Sequence, residues 1–544
     1  MSLVFSSVST LLVVDYPFLS SINLEVRFIM IVDKFRVIFL TAVLLITRRV
    51  FIFRKSYIKG DKIFSRFHFL LSSFVISMLL LILRPNLFRI LLGWDGLGVS
   101  SYLLVIYYRS KKSYNSGIIT FLSNRVGDAL IISTIANFLI YPSLLLVHFS
   151  QLNNFSVGGV LFIILASFTK RAQIPFRAWL PIAMAAPTPV SSLVHSSTLV
   201  TAGVYLIFRF EIYIRIIGFN RIIIFFGAIT MFIARMAAFS ETDMKKIVAL
   251  STLSQLGIMI TAIGVGFRVL AFFHLLTHAF FKALLFIGAG NLIHASERYQ
   301  DRRATGGLTR EVIPLTTSII LLASIRLCGL PFMSAFYSKE IIIEIILIKT
   351  VSFYSYRMLC LGVSMTVTYR IRLLVFSMIF FERQRRLFIK HDLDFKVNLR
   401  IILLIIPAIT GGRVIVTIFE EKTFFIVSCY LKFFMLALII AGVFMFWVIS
   451  SYGTYLTGKI SFWLYRSIWM LPYFSRRLFL ESSIRWGDLI RKIGDFSWVY
   501  YFFTKFIISF YRYNRLEGFS FQKINFVRIF TLNLLIITIF LFRM

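Results

Sequence analysis

The segment 172–181, AQIPFRAWLP, places two prolines and an arginine inside a stretch that is otherwise apolar enough to cross a membrane. Proline removes a backbone donor and clashes with the preceding turn, so a helix breaks there. A broken helix at membrane depth is tolerated only where it is buried in protein or lines a wet cavity. A second interruption, CGLPF, follows at 328–332. Such pairs are typical of inverted-repeat transporters, and ordinary proline kinks in a helix bundle are the alternative.

The composition indicates an integral membrane protein. Of the 544 residues, 59% are hydrophobic and only 15% are charged, whereas soluble proteins average about 45–50% and about 25%. A spanning helix needs about 20 mostly apolar residues, so the chain has room for about 14–16 of them. Backbone groups in lipid must pair within their own segment, which makes the long apolar runs helices. The sequence therefore predicts an all-α polytopic membrane protein.

The strong positive charge does not indicate nucleic-acid binding. Lysines and arginines number 59 against 23 aspartates and glutamates, a net charge of +36. They form no basic domain but punctuate the apolar runs, in pairs at Arg48-Arg49, Arg54-Lys55, Arg302-Arg303, Arg385-Arg386 and Arg476-Arg477. This pattern is typical of helix-end anchors that contact lipid headgroups.

The sequence contains no motif for a cofactor of its own. The three cysteines, Cys328, Cys360 and Cys429, form no C-x-x-C pair, and the seven histidines lack the spacing expected of haem ligands. The glycine-rich run GWDGLG at 93–98 lies inside an apolar, helix-length stretch. It therefore lacks the strand–turn–helix context of a nucleotide-binding loop. We predict neither a metal nor a redox centre in this chain.

The N-terminus shows neither a basic signal-peptide start nor an Arg/Ser-rich transit pattern. Candidate spans follow at 28–47, 67–84, 88–108, 117–147, 157–169, 172–187, 190–210, 214–238, 246–264, 269–293, 312–348, 353–381, 399–418 and 424–450. From residue 465 onward, basic and aromatic residues alternate, which favours a long amphipathic helix in the membrane interface. The apolar run 529–542 then predicts a short anchor helix.

Ionisable residues inside the predicted spans are the candidate functional residues, because each costs roughly 2.5–3.5 kcal/mol at the bilayer centre. They are Asp95, Lys170, His195, His274, His278, Lys282 and Lys339. Three of them have a structural alternative: His195 can be an interhelical hydrogen-bonder, and Lys170 and Lys339 near helix ends can reach the interface. The spacing of four between the last two histidines and Lys282 puts these three on one helix face. Together the set predicts a proton relay.

Nine short motifs resemble one family. They are LGWDGLG at 92–98, NRVGD at 124–128, WLP at 179–181, APTPVS at 186–191, LVHSST at 193–198, DMKKIVA at 243–249, STLSQLG at 251–257, HAFFKA at 278–283 and FYSKE at 336–340. Together they resemble the antiporter-like subunits of respiratory complex I, densely over residues 60–345 and loosely elsewhere.

The resemblance implies a distal membrane-arm subunit of a proton-pumping complex, with two inverted five-helix repeats. Each repeat would contain one broken helix, at Pro175 and at Pro331. The family's boundary acid, first-repeat lysine, central lysine and second-repeat lysine are matched in turn by Asp95, Lys170, Lys282 and Lys339. The intermediates that are hydrogen-bonded or linked by water would be His195, His274 and His278.

The same resemblance implies a layout. It comprises N-terminal transmembrane helices at 1–85, a first repeat at 86–240, a second at 241–382, C-terminal transmembrane helices at 383–464, a lateral amphipathic helix at 465–525 and an anchor helix at 526–544.

The implied location is the mitochondrial inner membrane. Partners would be chains 4 and 2, accessory subunits and phospholipids such as cardiolipin, with no nucleic acid. NADH, FMN, iron–sulfur clusters and ubiquinone would be used by other subunits. Two alternatives stay open: a stand-alone or multisubunit cation/proton antiporter subunit, and a mainly structural clamp of the membrane arm.

The chain departs from the family pattern at several points. Aspartate stands at position 95, where glutamate is frequent, and Arg177-Ala178 replace the His-Pro of many relatives. Arg177 then either adds a positive charge near Lys170 or faces the aqueous side. The N-terminal part before Gly93 is short. The chain is also unusually basic, and its high content of Phe and Ile favours the hypothesis of coding bias in an AT-rich organelle genome.

Overall fold

A computed structural model describes residues 12–21, 24–58, 64–84, 87–139, 157–194, 198–295, 300–301, 313–329, 333–334, 336–348, 353–375, 403–412, 429–456, 481–491 and 508. The described residues up to 456 belong to one compact unit, and those from 481 onward belong to a second.

Helices make up most of the first unit. It begins with an antiparallel hairpin of β1 (Leu12–Ser21) and β2 (Leu24–Val32). The helices up to the first interruption are α1 (Lys34–Tyr57), α2 (Phe64–Leu83), α3 (Leu87–Val105), α4 (Lys111–Leu139) and α5 (Val157–Lys170). Those beyond it are α6 (Trp179–Ile182), α7 (Thr188–Leu193), α8 (Leu199–Ile217), α9 (Asn220–Ser240), α10 (Met244–Val265), α11 (Arg268–Ala295), α12 (Pro314–Cys328), α13 (Ile341–Ile348), α14 (Phe353–Leu374), α15 (Leu403–Gly412) and α16 (Cys429–Leu456).

Six helices of the described chain are long and apolar enough to cross a membrane. They are α2, α3 with its terminal turn to Tyr108, α4, α9, α10 and α11. Shorter apolar helices include α5 and α12. The predicted class, a polytopic helical membrane protein, is confirmed. The total of about 14–16 spans and the inverted repeats stay predictions.

The N-terminal hairpin differs from the expectation of a helix that begins at residue 28. The strand β2 has the sequence LEVRFIMIV, in which Glu25 and Arg27 alternate with apolar residues. Such a period of two favours a strand over a helix. The first helix accordingly begins only at Lys34.

A glycine displaces two predicted helix boundaries. The expected spans 190–210 and 214–238 are replaced by α8, which runs to Ile217, and α9, which begins at Asn220. Between them Gly218 has φ +86°, and its N–H donates to the carbonyls of Ile214 and Arg215. A left-handed glycine of this kind ends a helix without the steric cost that other residues meet.

The segment at 172–187, predicted as an interrupted span, is a series of short turns. The helix α5 ends at Lys170, and 3₁₀ turns at Phe176–Ala178 and Ala183–Ala185 flank the four-residue helix α6. The peptide bond before Pro175 is cis. Three prolines within the segment account for the absence of a continuous helix, because none can donate a backbone hydrogen bond.

Two helices form the centre of the first unit. The candidate spanning window of α10 is completely buried and that of α11 is 94% buried, whereas those of α2 and α3 are each half buried. Helix α10 packs against α9 and α11, and α11 packs against α12 and α7. At the crossing of α9 and α10, a Cβ on Gly257 would lie 2.8 Å from the Gly227 carbonyl oxygen. Glycine at this crossing therefore lets the two backbones approach closely.

The described part of the second unit contains the helix α17 (Glu481–Ile490), within the predicted lateral helix at 465–525. The side chains from Arg485 to Arg491 are exposed, Trp486 among them. The predicted anchor at 526–544 lies outside the described residues.

Candidate functional site

Three polar side chains follow one another along the central helix α11. His274, His278 and Lys282 are each separated by four residues, so one lies about a turn above the next. All three are buried, and the two imidazole rings lie 6.1 Å apart between centroids. This row matches the shared helix face that the spacing of four residues predicted.

Helix α10 supplies the polar counterpart of the row. The Lys282 ammonium donates to the Ser251 hydroxyl at 2.5 Å and to the Val248 carbonyl at 3.4 Å. One turn further along α10, the Gln255 side-chain oxygen lies 3.2 Å from Nε2 of His274. The two helices therefore pair their polar positions in antiparallel order, and the hydrogen-bond acceptors of Lys282 are neutral oxygens.

His278 lies between these two contacts. It is 1% exposed, and neither of its ring nitrogens has a hydrogen-bond partner within the described part of the chain. A neutral imidazole offers one donor and one acceptor, and each unsatisfied group carries a desolvation cost. Within the described chain, the His278 ring is therefore the member of the row whose polar atoms are not satisfied.

The row continues into the π-helical turn Phe336–Glu340. The Ser338 hydroxyl lies 2.9 Å from Nδ1 of His274 and 3.2 Å from the Thr277 hydroxyl. The next residue, Lys339, is buried and donates to the carbonyls of Leu327 and Cys328 at 3.3 and 3.4 Å. Since α12 ends at Cys328, these acceptors are free helix-end carbonyls.

A carboxylate accompanies this lysine. Glu340 is buried and interacts electrostatically with Lys339. Both side chains lie against Gly329, where an added Cβ would be 2.7 Å from the Glu340 Oε1 and 3.7 Å from the Lys339 Nζ. Gly329 has φ +92°, a conformation that favours glycine. This residue therefore both ends α12 and leaves room for the charged pair.

Lys170 lies at the end of α5, in the other half of the bundle. Its ammonium donates to the Trp94 carbonyl at 3.0 Å and lies 4.9 Å from the centre of the Trp94 ring. A Cβ added to Gly98 would lie 3.5 Å from the same ammonium. The glycine-rich stretch of α3 thus forms a close-fitting cation site rather than a nucleotide loop.

Two carboxylates compensate this cation. Arg125 forms ion pairs with Asp95 at 2.8 Å and with Asp128 at 3.3 Å. Both carboxylates attract Lys170, and Asp128 does so more strongly. The side chain of Asp95 is 42% exposed, whereas that of Asp128 is only 9% exposed. The buried carboxylate of this cluster is therefore Asp128.

The predicted site residues fall into two groups among the described residues. The Lys170 cluster contains Asp95, and the row on α11 joins its two histidines and Lys282 to the turn that carries Lys339. Pro175 lies in the non-helical segment just after α5. His195 and Pro331 lie outside the described residues.

Sequence reasoning missed several partners. Asp128, Ser251, Gln255, Ser338 and Glu340 all contact or face the predicted residues. Ser251 and Gln255 are separated by four residues inside an apolar helix, the same signal that identified the stripe on α11. That spacing could have identified them.

Comparisons with known proteins agree along the whole chain. Residues 85–367 match the family described as "NADH:quinone oxidoreductase/Mrp antiporter, TM", and residues 369–544 match "NADH dehydrogenase subunit 5 C-terminus". The chain is similar to NADH-ubiquinone oxidoreductase chain 5 of the locust Locusta migratoria, with 41% identity over 86% of this chain and 83% of the relative. It is also similar to NADH-ubiquinone oxidoreductase chain 5 of the mosquito Aedes aegypti, with 39% identity over 96% of this chain and 90% of the relative.

Solved structures support the fold. The chain is similar to a chain of the Mrp complex of a Dietzia species, with a TM-score of 0.72 and 24% identity over 90% of this chain and 56% of that one. A chain of the archaeal membrane-bound sulfane sulfur reductase gives a TM-score of 0.64 and 18% identity over 78% of this chain and 85% of that one. From the matches to both family regions and to relatives of nearly equal length, the chain belongs to the NADH-ubiquinone oxidoreductase chain 5 family, the antiporter-like subunits of complex I.

Proposed function

We propose that this proton-translocating membrane-arm subunit of complex I moves protons along a buried row that runs from Lys282 through His278 and His274 to Lys339. The observation that carries the proposal is a row of buried polar side chains, each about one turn from the next, in an otherwise apolar interior. It continues from the Ser251 hydroxyl to that of Ser338. Intramembrane ionisable groups of this kind mark ion pathways far more often than they stabilise a fold.

The chemistry of the row suits proton transfer. Lysine and imidazole exchange protons, and hydroxyl and amide groups orient them without ionising. Moving one charge against 100 mV takes about 2.3 kcal/mol. Two unit charges about 6 Å apart at an effective dielectric constant of about 20 interact by roughly 2.8 kcal/mol. A small change in the spacing of such groups is therefore enough to load or release one proton.

The Lys170 cluster serves as the second exchange site. Asp95 is its half-exposed member and faces the outside of the subunit, while Lys170 is fully buried. His195 then links this cluster to the central row. In this layout, residues 86–240 and 241–382 act as two repeats around broken helices at Pro175 and Pro331.

The chain acts in the mitochondrial inner membrane beside chains 4 and 2 and the accessory subunits. The lateral helix at 465–525 and the anchor at 526–544 hold it to these neighbours and to phospholipids such as cardiolipin. Oxidation of NADH with FMN, iron–sulfur clusters and ubiquinone takes place in other subunits. The membrane arm then receives the free energy of that reaction.

Native electrophoresis of gently solubilised mitochondria tests the assignment. The gel is probed for this chain and stained for NADH dehydrogenase activity. We expect the chain to co-migrate with a large, active particle. A small particle without that activity would contradict the proposal and favour the antiporter.

A cation/proton antiporter is the second candidate, because the fold also resembles a chain of an Mrp complex. A stand-alone antiporter subunit needs no lateral helix, whereas residues 369–544 of this chain match the chain 5 C-terminus. Exchange of Na⁺ or K⁺ for protons by the purified complex in vesicles, without NADH, would support the antiporter. A purely structural clamp predicts instead that lysine variants impair assembly but leave pumping per assembled complex unchanged.

A further inference from the structure

Five arginines inside the first unit are almost completely buried and retain guanidinium nitrogens without hydrogen-bond partners in the described chain. They are Arg171, Arg177, Arg235, Arg326 and Arg370, each at most 1% exposed. For Arg177 and Arg235, all three nitrogens lack a partner. Of the two alternatives for Arg177, exposure to the aqueous side is wrong.

Other arginines of the same bundle are well accommodated. Arg125 pairs with Asp95 and Asp128. Arg209 forms an ion pair with Asp33 at 2.7 Å and donates to the Tyr205 hydroxyl. These two arginines therefore have carboxylate or hydroxyl partners, in contrast to Arg177 and Arg235.

A guanidinium cannot escape burial by losing its proton, since arginine stays charged in proteins. A buried charge without a partner is among the most destabilising features of a protein interior. Folded proteins have only a small margin of stability. Arg177 and Arg235 are such charges, whereas Arg171 keeps one bond to the Gly203 carbonyl, and Arg326 and Arg370 lie over the Phe281 and Tyr369 rings.

At two of these positions the arginine packs against a glycine of another helix. A Cβ added to Gly203 would lie 2.8 Å from the Cγ of Arg171, and one added to Gly362 would lie 2.5 Å from the Nη1 of Arg235. Both long side chains thus lie directly over a glycine backbone. Helix crossings in membranes of this kind usually hold small residues on both sides.

Two of the arginines also oppose the proposed proton row. Arg370 repels Lys282 and His278, and both Arg235 and Arg370 repel Lys339. A proton that arrives on any of these groups meets a permanent positive charge. This point alone rests on the proposed function, whereas burial and packing stand without it.

We infer that the mature polypeptide carries serine at positions 171, 177, 235, 326 and 370. Several of the similar relatives are invertebrate chains, among them those of a locust, mosquitoes, an earthworm and a mussel. The standard genetic code reads AGA and AGG as arginine, whereas the mitochondria of many invertebrates read them as serine. The five positions are then AGA or AGG triplets, and Arg125 and Arg209 are encoded by the CGN triplets that both codes read as arginine.

Serine satisfies the local chemistry of the helices. In α5, the Ser167 hydroxyl donates to the Ile164 carbonyl at 2.6 Å, and in α12, that of Ser324 donates to the Leu321 carbonyl at 2.8 Å. A buried serine in a helix thus finds an acceptor one turn back, without any tertiary partner. At positions 235 and 370, it leaves the lysines of the row without a permanent neighbouring cation.

Peptide sequencing of the natural protein tests the inference. Complex I from the source organism is digested with pepsin and with trypsin, and peptides over 165–181, 230–240, 320–328 and 365–374 are sequenced by mass spectrometry. We expect serine at all five positions and no tryptic end at 171 or 177. Arginine at any of the five would overturn the inference and point to buried anions instead.

Peptides that contain Arg125 and Arg209 are the matched controls and should carry arginine. The gene gives an independent readout. AGA or AGG at the five buried positions and CGN at the two ion-paired ones is the expected pattern. CGN at a buried position, or AGA or AGG at an ion-paired one, would contradict the inference even if no peptide were recovered.

Discussion

The Lys170 cluster and the row on α11 place lysines in two different electrostatic settings. Lys170 has a backbone carbonyl, an aromatic ring and two carboxylates nearby, one of them half exposed. Lys282 is equally buried, but it donates to a hydroxyl and a backbone carbonyl. Compensated charge characterises the first site, and neutral dipoles characterise the second.

The contrast suggests a division of roles. A carboxylate next to a lysine keeps the ammonium form stable, whereas neutral oxygens hold it less firmly. The first cluster is then suited to storing a charge near the subunit surface. The row on α11 is suited to passing a proton on. Variants that remove one partner at a time separate the two settings.

The largest effect is expected for Asp128→Asn. Loss of the buried carboxylate leaves Lys170 and Arg125 with only the half-exposed Asp95, and breaking a buried ion pair costs about 3–5 kcal/mol. We expect a marked fall in the amount of assembled complex and in the midpoint of its thermal inactivation. Asp243→Asn removes the partly exposed partner of Lys246 and serves as the control. Equal effects of the two variants would contradict the claim that the burial of Asp128 makes its carboxylate more important than that of a partly exposed ion pair.

A smaller effect is expected for Ser251→Ala. The substitution removes the closest acceptor of Lys282, and an unsatisfied buried donor costs about 1–3 kcal/mol. The complex should assemble, and its proton pumping per NADH oxidised should fall severalfold. Thr252→Ala is a suitable neighbour control, because its hydroxyl donates to the Ala249 carbonyl within the same helix. Full pumping by the Ser251 variant would show that this hydroxyl is not part of the pathway.

The sequence predicted the lysines and histidines of the sites but not all of their partners. Helical spacing alone placed His274, His278 and Lys282 on one face. The contact of Ser251 with Lys282 depends on how α10 packs against α11, which the residue spacing within either helix does not give. Asp128 lies in the NRVGD motif, but its burial beside Lys170 is a tertiary fact that the motif does not contain.

The prediction of two helix boundaries from hydrophobicity failed because of local backbone features. The apolar run before Lys34 favoured a helix, although the alternation in β2 has a period of two. Gly218 ended α8 at a point where hydrophobicity continues on both sides. A hydrophobicity scale detects neither feature, because both depend on backbone conformation.

The smallest effect is expected at Asp95. Half-exposed ion pairs contribute only about 0.2–1 kcal/mol, so Asp95→Asn should barely change thermal inactivation, and Asp95→Glu should leave it unchanged. The midpoint of inactivation of the assembled complex is the measurement. A loss as large as that of Asp128→Asn would mean that neighbouring subunits bury Asp95 and would place both carboxylates in one setting.

The most direct test is the number of protons pumped per NADH oxidised by assembled complex I that carries Lys282→Met, with Lys246→Met as control. Both variants remove one lysine, but Lys246 is partly exposed and paired with Asp243. Positioned proton-transfer groups typically contribute about 10²–10⁴-fold, so the Lys282 variant should lose most of its pumping and the control should retain it. Normal pumping by an assembled Lys282→Met complex would contradict the proposed row.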